Sequence, residues 1–183
     1  MVSINKHNMV NILLKQSKKI FHTNDLRLLW GIDNKQVLHN TIYRYKQKGV
    51  LIPIHKGFYS VIPLEELDPI ELGLSAIHNY AYLSTESVLV IEGIIFQQTY
   101  YHTFCSAKNM RFQIRDQQYI SRQLKDQYLH NTQGIVNKGN FKQATAERAI
   151  ADMLYFNPKY YFDSHDTINW DKVQEIQKEV GYI

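Results

Sequence analysis

Residues 33–49, DNKQVLHNTIYRYKQKG, predict a helix with two chemically different faces, and this helix constrains the fold more than any other segment. Asp33 is a suitable N-cap, Gln36 completes a capping box, and Gly49 is a typical stop. One face is suited to packing inward: Leu38, Thr41, Ile42 and Tyr45. The opposite face and its flanks are polar and contain no acid: Lys35, Gln36, His39, Asn40, Tyr43, Arg44 and Gln47.

A polar helix face without acids is typical of contact with a polyanion, so we predict a DNA recognition helix. Gln36 and Asn40 match the N6/N7 edge of adenine, and Lys35 matches guanine. His39 suits either base, Gln47 adds a further hydrogen-bonding group, and Tyr43 and Arg44 lie where phosphates are met. The alternative is a solvated helix face.

The charge distribution also favours the N-terminal third as the part that meets a polyanion. Residues 1–62 hold ten Lys or Arg and two acids, a balance of +8, whereas residues 63–183 hold eleven and fifteen, a balance of −4. The chain total of +4 therefore conceals a polarised molecule.

The segments around this helix predict a winged helix-turn-helix domain over residues 1–62. A first helix is expected from about Asn5 to Gln16, then a short strand, and then a second helix after a Thr23 cap. Beyond Gly49 two β-rich runs enclose His55 and Lys56, which predicts a hairpin with a basic tip. His55 and Lys56 would touch a phosphate or the minor groove, and an ordinary polar hairpin is the alternative.

Residues 63–183 predict a second, mixed domain with antiparallel strands and several helices, so the fold class is α+β. Pro63 and three acids mark a linker, and Asp68-Pro69 opens a helix. Thr85, Thr145 and Asn169 are predicted N-caps of later helices. Successive antiparallel strands are predicted at 99–105, 111–115 and 118–124, and a loop-rich stretch with one short strand at 130–142.

Three stretches of the sequence carry distinctive motifs. The first domain has the order TNDL, LWGI, YRYKQKGVLI and HKGFY, and the second has YLSTESVLVIEGII and ATAERAIADMLYF. Together these stretches resemble the AbiEi family of antitoxins and bacterial regulators. The third is similar to the family's helix A-T-P-E-K-A-L-L-D-L-L-Y, with Ala146 in place of Pro and Arg148 in place of Lys. Phe96 stands where the family often has Pro.

The resemblance implies a DNA-binding antitoxin and transcriptional autorepressor of a type IV toxin–antitoxin system. Such a protein binds double-stranded DNA at its own promoter, often at inverted repeats. Its C-terminal domain counters a nucleotidyltransferase toxin, and neutralisation need not involve a stable complex. The oligomeric state stays open between a homodimer and a monomer that binds cooperatively.

Five polar residues of the second domain form a candidate antitoxin-function site under this resemblance: Ser84, Glu86, Glu147, Arg148 and Asp152. The alternative is helix capping and salt bridging, because acids in a first helical turn favour the helix dipole.

The sequence predicts no catalytic residues, no metal and no cofactor. It lacks the phosphate-binding, dinucleotide, zinc-protease and nucleophile-elbow motifs. His102 and Cys105 give a single H-x-x-C half-site where structural zinc needs four ligands. One cysteine and no apolar run of about 20 residues favour a cytoplasmic protein without a membrane span.

Two rival functions remain open at this stage. One is a protein-interaction adaptor, which would expose an apolar patch on the first domain. The other is a nuclease targeted by a winged helix, which would hold a cleft of acids in the second domain.

Overall fold

A computed structural model of the protein describes residues 6–183, with side chains from residue 9 onward. Asn5, where the first helix is predicted to begin, lies outside these residues. The chain divides into two compact units, Met1–Asp68 and Pro69–Ile183. The predicted boundary lies after Ile62, at the start of a short segment, and the observed boundary lies at the end of that segment, before Pro69. Leu64–Glu66 forms a 3-10 turn within the segment.

The first unit contains three helices and a three-stranded antiparallel sheet within its described residues. Strand β3 is central and pairs with both β1 and β2, so the strand order is β1-β3-β2. In chain order the elements are α1 Lys6–Leu14, β1 Ile20–His22, α2 Thr23–Trp30, α3 Lys35–Gln47, β2 Ile52–His55 and β3 Phe58–Ser60.

Helical periodicity correctly predicts which side of α3 is buried. All four residues of its inward face are buried, and Thr41 is 2% exposed. The other core residues of this unit come from every preceding element and the start of the hairpin: Leu13, Phe21, Leu26, Trp30 and Leu51. Leu14, which follows buried Leu13 in α1, is 62% exposed.

Two predicted helix caps in this unit are wrong by one residue. His22, not Thr23, caps α2, and the Thr23 hydroxyl donates to the Gly57 carbonyl at 3.1 Å. Asn34, not Asp33, caps α3, because its Oδ1 accepts from the backbone N–H groups of Gln36 and Val37 at 2.9 and 3.1 Å. Both errors have one cause: neighbouring residues can each cap a helix, and the backbone entry angle selects between them.

The second unit contains a six-stranded mixed sheet with helices packed on it. Its helices are α4 Pro69–Ile77, α5 Glu86–Ile91, α6 Asp126–Leu129, α7 Ala146–Phe156 and α8 Trp170–Val180. Its strands are β4 Ala81–Leu83, β5 Tyr101–Ser106, β6 Met110–Ile114, β7 Gln117–Gln123, β8 Ile135–Lys138 and β9 Phe141–Ala144. The α+β fold class is thereby confirmed.

The sheet order, β6-β7-β5-β4-β9-β8, corrects the predicted run of antiparallel strands. β6 and β7 form an antiparallel hairpin, but β5 pairs with β7 in parallel and does not pair with β6. The predicted loop at 130–142 contains a second hairpin, β8 with β9, and β9 pairs in parallel with β4. Short turn-rich strands of this kind lack a clear two-residue periodicity, which is why β9 is missed.

Gly73 lets α4 approach the sheet closely. A Cβ atom at this position would lie 2.4 Å from the ring of Tyr119 on β7, so any side chain would force the helix away. Elsewhere α7 packs against both α5 and α8. None of the described helices combines the length and apolarity that crossing a bilayer requires.

Candidate functional site

The predicted recognition face of α3 lies on the surface of the first unit. All seven of its residues, from Lys35 to Gln47, are exposed, and Tyr43 is 60% exposed. The burial of the opposite face against the core fixes which side of the helix faces solvent. The sequence therefore places these seven side chains on one rigid, solvent-facing surface.

Two internal hydrogen bonds order side chains on and beside this face. Gln36 Nε2 donates to Asn40 Oδ1 at 3.1 Å, one helical turn along. The Gln36 carbonyl oxygen and the Asn40 NH2 group remain as an acceptor and a donor, which is the combination that an adenine edge requires. Arg44 donates from one terminal nitrogen to Thr41 Oγ1 at 3.0 Å, which leaves most of its donors for another partner.

Each of the two acids among residues 1–62 pairs with a cation. Asp25 pairs with Lys18 at 2.7 Å and exposed Asp33 pairs with Arg27 at 2.9 Å. Burial raises the pKa of Asp25, but the bonds from Lys18 and the His22 backbone outweigh it, so the pKa is lowered. Within the part of the chain that the structure describes, Lys35 and Arg44 have no carboxylate partner.

The hairpin tip also carries exposed charge. His55 and Lys56 are exposed at the turn between β2 and β3. Gly57 follows with a φ of 81°, a backbone conformation that glycine adopts without strain. The tip is tied to α2, since the Thr23 N–H donates to the Gly57 carbonyl at 2.8 Å. A short, anchored hairpin therefore presents a cationic tip from the unit that carries α3.

In the second unit, three of the five predicted polar residues meet in one buried network around the Arg148–Asp152 ion pair. Arg148 Nε donates to Asp152 Oδ1 at 2.8 Å, and both side chains are fully buried. Ser84 donates to Asp152 Oδ2 at 2.7 Å. Tyr82 and Tyr182 add donors to the same carboxylate at 3.1 and 2.6 Å.

This network uses every N–H donor of Arg148. Besides the bond to Asp152, the guanidinium donates to the Tyr82 hydroxyl at 2.9 Å. It also reaches three backbone carbonyl oxygens, those of Tyr128, Asn131 and Gln133, at 3.0, 3.1 and 2.8 Å. A guanidinium has five N–H donors, and all five are satisfied. The geometry is that of a structural tie between α7, β4 and the 128–133 segment rather than an open binding site.

The ionisation of the network is fixed by its surroundings. Burial raises the pKa of the Tyr82 hydroxyl well above its usual range, and the Asp152 charge raises it further. The pKa of Tyr182 is raised for the same two reasons. Burial lowers the pKa of Arg148, but the Asp152 carboxylate outweighs it, so the guanidinium stays charged. The guanidinium is thus charged and both tyrosines are neutral near pH 7.

Glu147 stands outside this network although it adjoins Arg148 in sequence. Its carboxylate lies 3.5 Å from Lys172 Nζ on α8, in a partly exposed pair. Burial raises its pKa, but hydrogen bonds at the start of α7 and the Lys172 charge lower it overall. The Thr145 hydroxyl accepts from the Arg148 backbone N–H, so the predicted cap of α7 is confirmed.

Glu86 is the remaining predicted residue, and it forms a separate site with Arg122. Glu86 is 7% exposed, and its Oε1 accepts a short hydrogen bond from Arg122. Its Oε2 and Arg122 Nε are both buried without a partner in the described structure. Arg122 also lies over the Phe156 ring at 5.7 Å. Buried unsatisfied atoms are costly, so their presence marks this pair as unlike the saturated network.

A strained turn positions Glu86. Thr85 lies between β4 and α5 with φ 52° and ψ −134°, a region that β-branched residues rarely adopt. Its hydroxyl is buried without a partner in the described chain, so the predicted side-chain cap is absent. Thr103 fixes the turn: its hydroxyl donates to the Ser84 carbonyl at 2.6 Å and accepts from the Ser87 N–H at 2.9 Å.

The charge of Glu86 acts on the hydroxyl groups of two tyrosines, Tyr101 and Tyr160. Burial raises the pKa of each hydroxyl, and the Glu86 charge raises both further. Arg122 was not predicted to belong to the Glu86 site, because the parallel pairing of β5 with β7 that brings it there was not predicted. Tyr82 and Tyr182 were not predicted either, because nothing local links positions a hundred residues apart.

Cys105 belongs to the core of the second unit. It is fully buried, and burial raises the pKa of its thiol well above the ordinary value. Across residues 6–183, no three His, Cys, Asp or Glu side chains are grouped so as to hold a metal ion.

Comparisons with known proteins bear on the fold alone. No protein-family model matches the sequence, and no curated protein is significantly similar to it. The structure is similar to the crystal structure of the RV2827C protein from Mycobacterium tuberculosis, with a TM-score of 0.56 and 12% identity. The alignment covers 92% of this chain and 69% of that one. At that identity the likeness concerns how the chain folds.

Proposed function

We propose that this protein is a DNA-binding transcriptional regulator whose first unit is a winged helix-turn-helix. The observation that carries the proposal is the exposed, acid-free polar face of α3 in the same unit as a cationic hairpin tip. The order α1-β1-α2-α3-β2-β3 and the strand order β1-β3-β2 support this assignment. In such a unit the second helix of the turn enters the major groove and the hairpin lies along the flanking backbone.

The distribution of side chains along α3 divides the work of binding. Lys35, Gln36 and Asn40 occupy the N-terminal half, which reaches base edges in the major groove. Tyr43, Arg44 and Gln47 lie further along, where a recognition helix meets phosphates. His39 lies within the N-terminal half as well, and His55 and Lys56 would extend the contact to the neighbouring backbone. Together they give a sequence-reading centre with cationic flanks.

An electrophoretic mobility shift assay on the protein's own promoter tests this proposal and separates it from its rivals. We expect a specific shift, with and without magnesium, that unlabelled promoter DNA competes better than unrelated duplex. No shift on any duplex would favour the adaptor, for which exposed Leu14, Leu28 and Val37 are the apolar side chains at hand. Magnesium-dependent cleavage of the probe would instead favour the nuclease.

We further propose that the protein is an AbiEi-like antitoxin that represses its own operon in the cytoplasm. This part depends on the sequence resemblance. Among the five candidate polar residues, Glu86 is the one with a buried oxygen that lacks a partner in the described structure, whereas Ser84, Arg148 and Asp152 are consumed in the saturated network. The antitoxin activity is therefore assigned to the surface around Glu86 and Arg122.

Growth rescue tests the antitoxin proposal. Cells that express a nucleotidyltransferase gene adjacent to this one should stop growing, and co-expression of this protein should restore growth without a stable complex. Glu86→Gln should reduce rescue, and Glu147→Gln is the matched control because its carboxylate lies in a surface pair. Full rescue by Glu86→Gln would remove the site assignment, and a neighbouring gene of another class would contradict the antitoxin role.

A further inference from the structure

A cavity of about 400 Å³ lies in the first unit between α1 and α3. Buried Thr41 and Tyr45 form its floor, and half-buried Met9, Val10 and Val50 form its walls. This volume is within the range of small-molecule sites, which are about 300–1,000 Å³. The cavity opens beside the α3 face that is proposed to read DNA, but most of its wall is apolar.

The mouth of this cavity is cationic. Arg44 and Lys48 line it and are both exposed, and no acid is present among the described lining residues. They are four positions apart on α3, so they lie on the same side of the helix and repel each other. Arg44 donates one hydrogen bond, to the Thr41 hydroxyl in the floor, and its other donors remain for an anion. An anionic group at the mouth would relieve the repulsion and satisfy these donors.

We infer that this cavity binds a small amphipathic carboxylate, with its apolar chain inside and the carboxylate held by Arg44 and Lys48. A further consequence rests on the proposed DNA-binding function: the ligand competes with DNA, because Arg44 cannot hold the carboxylate and a phosphate together. The protein is then a regulator that releases DNA when the carboxylate is abundant.

The chain contains its own reporter of cavity occupancy. Trp30 Nε1 donates to the Met9 carbonyl at 3.3 Å, and the Trp30 ring lies 5.4 Å from the Tyr45 ring. Met9 and Tyr45 both line the cavity. The other tryptophan, Trp170, lies in the second unit, so Trp170→Phe leaves Trp30 as the single emitter. Ligand entry should therefore change Trp30 emission in the absence of any DNA.

The test is a fluorescence titration of the full-length Trp170→Phe protein with decanoate, decanol and decylamine, each below its aggregation concentration. We expect saturable binding of decanoate, at least tenfold weaker binding of decanol, and none of decylamine. Lys48→Met should weaken decanoate about tenfold, as expected for loss of a charge-assisted contact. Val10→Phe should fill the cavity and abolish the response, with folding verified by circular dichroism.

Two outcomes of the titration overturn the inference: no saturable response to decanoate, or equal affinities for decanoate and decanol that Lys48→Met does not change. Lys48 is exposed, so its variant remains informative even where Val10→Phe fails to fold. In a separate arm, decanoate should raise the Kd for promoter DNA in the parent protein and not in Val10→Phe. If decanoate binds but does not raise the Kd for promoter DNA, the proposed competition is wrong. If the protein does not bind promoter DNA even without decanoate, the proposed DNA-binding function is wrong instead.

Discussion

Polar side chains serve opposite purposes in the two units of this protein. On α3 they are exposed and several lack a partner within the described structure, as Lys35 does. In the second unit the side chains of Arg148 and Asp152 are fully buried, and every donor of the guanidinium is used. Arginine and tyrosine are present in both places, so these two residue types alone do not distinguish the sets.

The two sets of polar side chains differ in how many of their hydrogen-bonding groups are paired. A buried ion pair that is completely hydrogen-bonded holds elements together and has no donor left for a ligand. An exposed guanidinium with one internal bond, such as that of Arg44, retains donors for a phosphate or a carboxylate. Glu86 and Arg122 lie between these extremes, because they are mostly buried and yet each has an unpaired atom among the described residues.

The largest effect is expected from Asp152→Ala in the buried network. The substitution leaves the Arg148 guanidinium uncompensated, which should lower the free energy of unfolding of the second unit by about 3–5 kcal/mol. Urea denaturation followed by the fluorescence of Trp170, in a Trp30→Phe background, measures the change. A loss below about 1 kcal/mol would mean that the network does not hold this unit together.

A smaller effect is expected at the positions of α3 that are proposed to read bases. Asn40→Ala should weaken binding to the promoter by about 1–3 kcal/mol and leave binding to unrelated duplex nearly unchanged. Arg44→Ala should weaken both about equally, because a phosphate contact carries no sequence information. Fluorescence anisotropy measures both, with Lys178→Ala in the second unit as the charge-matched control. Unchanged binding in both α3 variants would mean that another face of the unit contacts DNA.

The raised pKa values of the two network tyrosines predict that the fold loses stability at alkaline pH. The pKa of Tyr182 is raised in the folded protein, so its neutral form stabilises the fold below pH about 10 and this contribution is lost at higher pH. Tyr182→Phe removes the bond to Asp152, should cost about 1.5–3 kcal/mol at pH 7, and should flatten the alkaline decline. Denaturation midpoints between pH 7 and 11 measure both. Identical slopes for the two proteins would exclude Tyr182 as the titrating group.

The smallest effect is expected at the surface pair of Glu147 and Lys172. Its geometry and partial exposure predict that Glu147→Gln costs at most about 1 kcal/mol. The pKa of Glu147 is lowered in the folded protein, so any contribution is present above pH about 4.5 and is lost as the pH falls further. Urea midpoints at pH 7 and pH 3 measure this difference. A loss as large as that of Asp152→Ala would contradict the distinction between the two sites.

Periodic and local features of this fold could be predicted from the sequence, whereas features that join distant segments could not. The inward face of α3 follows from the spacing of Leu38, Ile42 and Tyr45 alone. The Thr145 cap follows from local residue chemistry in the same way. By contrast, Asp33 and Asn34 are equally good caps by type, and only the chain's path into α3 selects Asn34.

The candidate polar site of the second unit shows where local reasoning ends. The spacing of residues on α7 predicts that Arg148 contacts Asp152. It does not predict that Glu147 lies outside this ion pair or that Tyr182 joins it. Gly134 illustrates the same limit, since a Cβ there would lie 2.7 Å from Arg148 Cβ. That close approach has no sequence signature besides the glycine itself. Whether every hydrogen-bonding group of a buried network is paired depends on segments that are distant in the sequence.

The salt dependence of binding to promoter DNA tests most directly the claim that the exposed set on α3 meets a polyanion. The logarithm of the association constant should fall linearly with the logarithm of salt concentration, with a slope of about −0.9 for each phosphate contacted. Arg44→Ala should reduce the magnitude of this slope by about one unit, and Lys178→Ala should leave it unchanged. A flat salt response, or a slope that Arg44→Ala does not alter, would contradict the account.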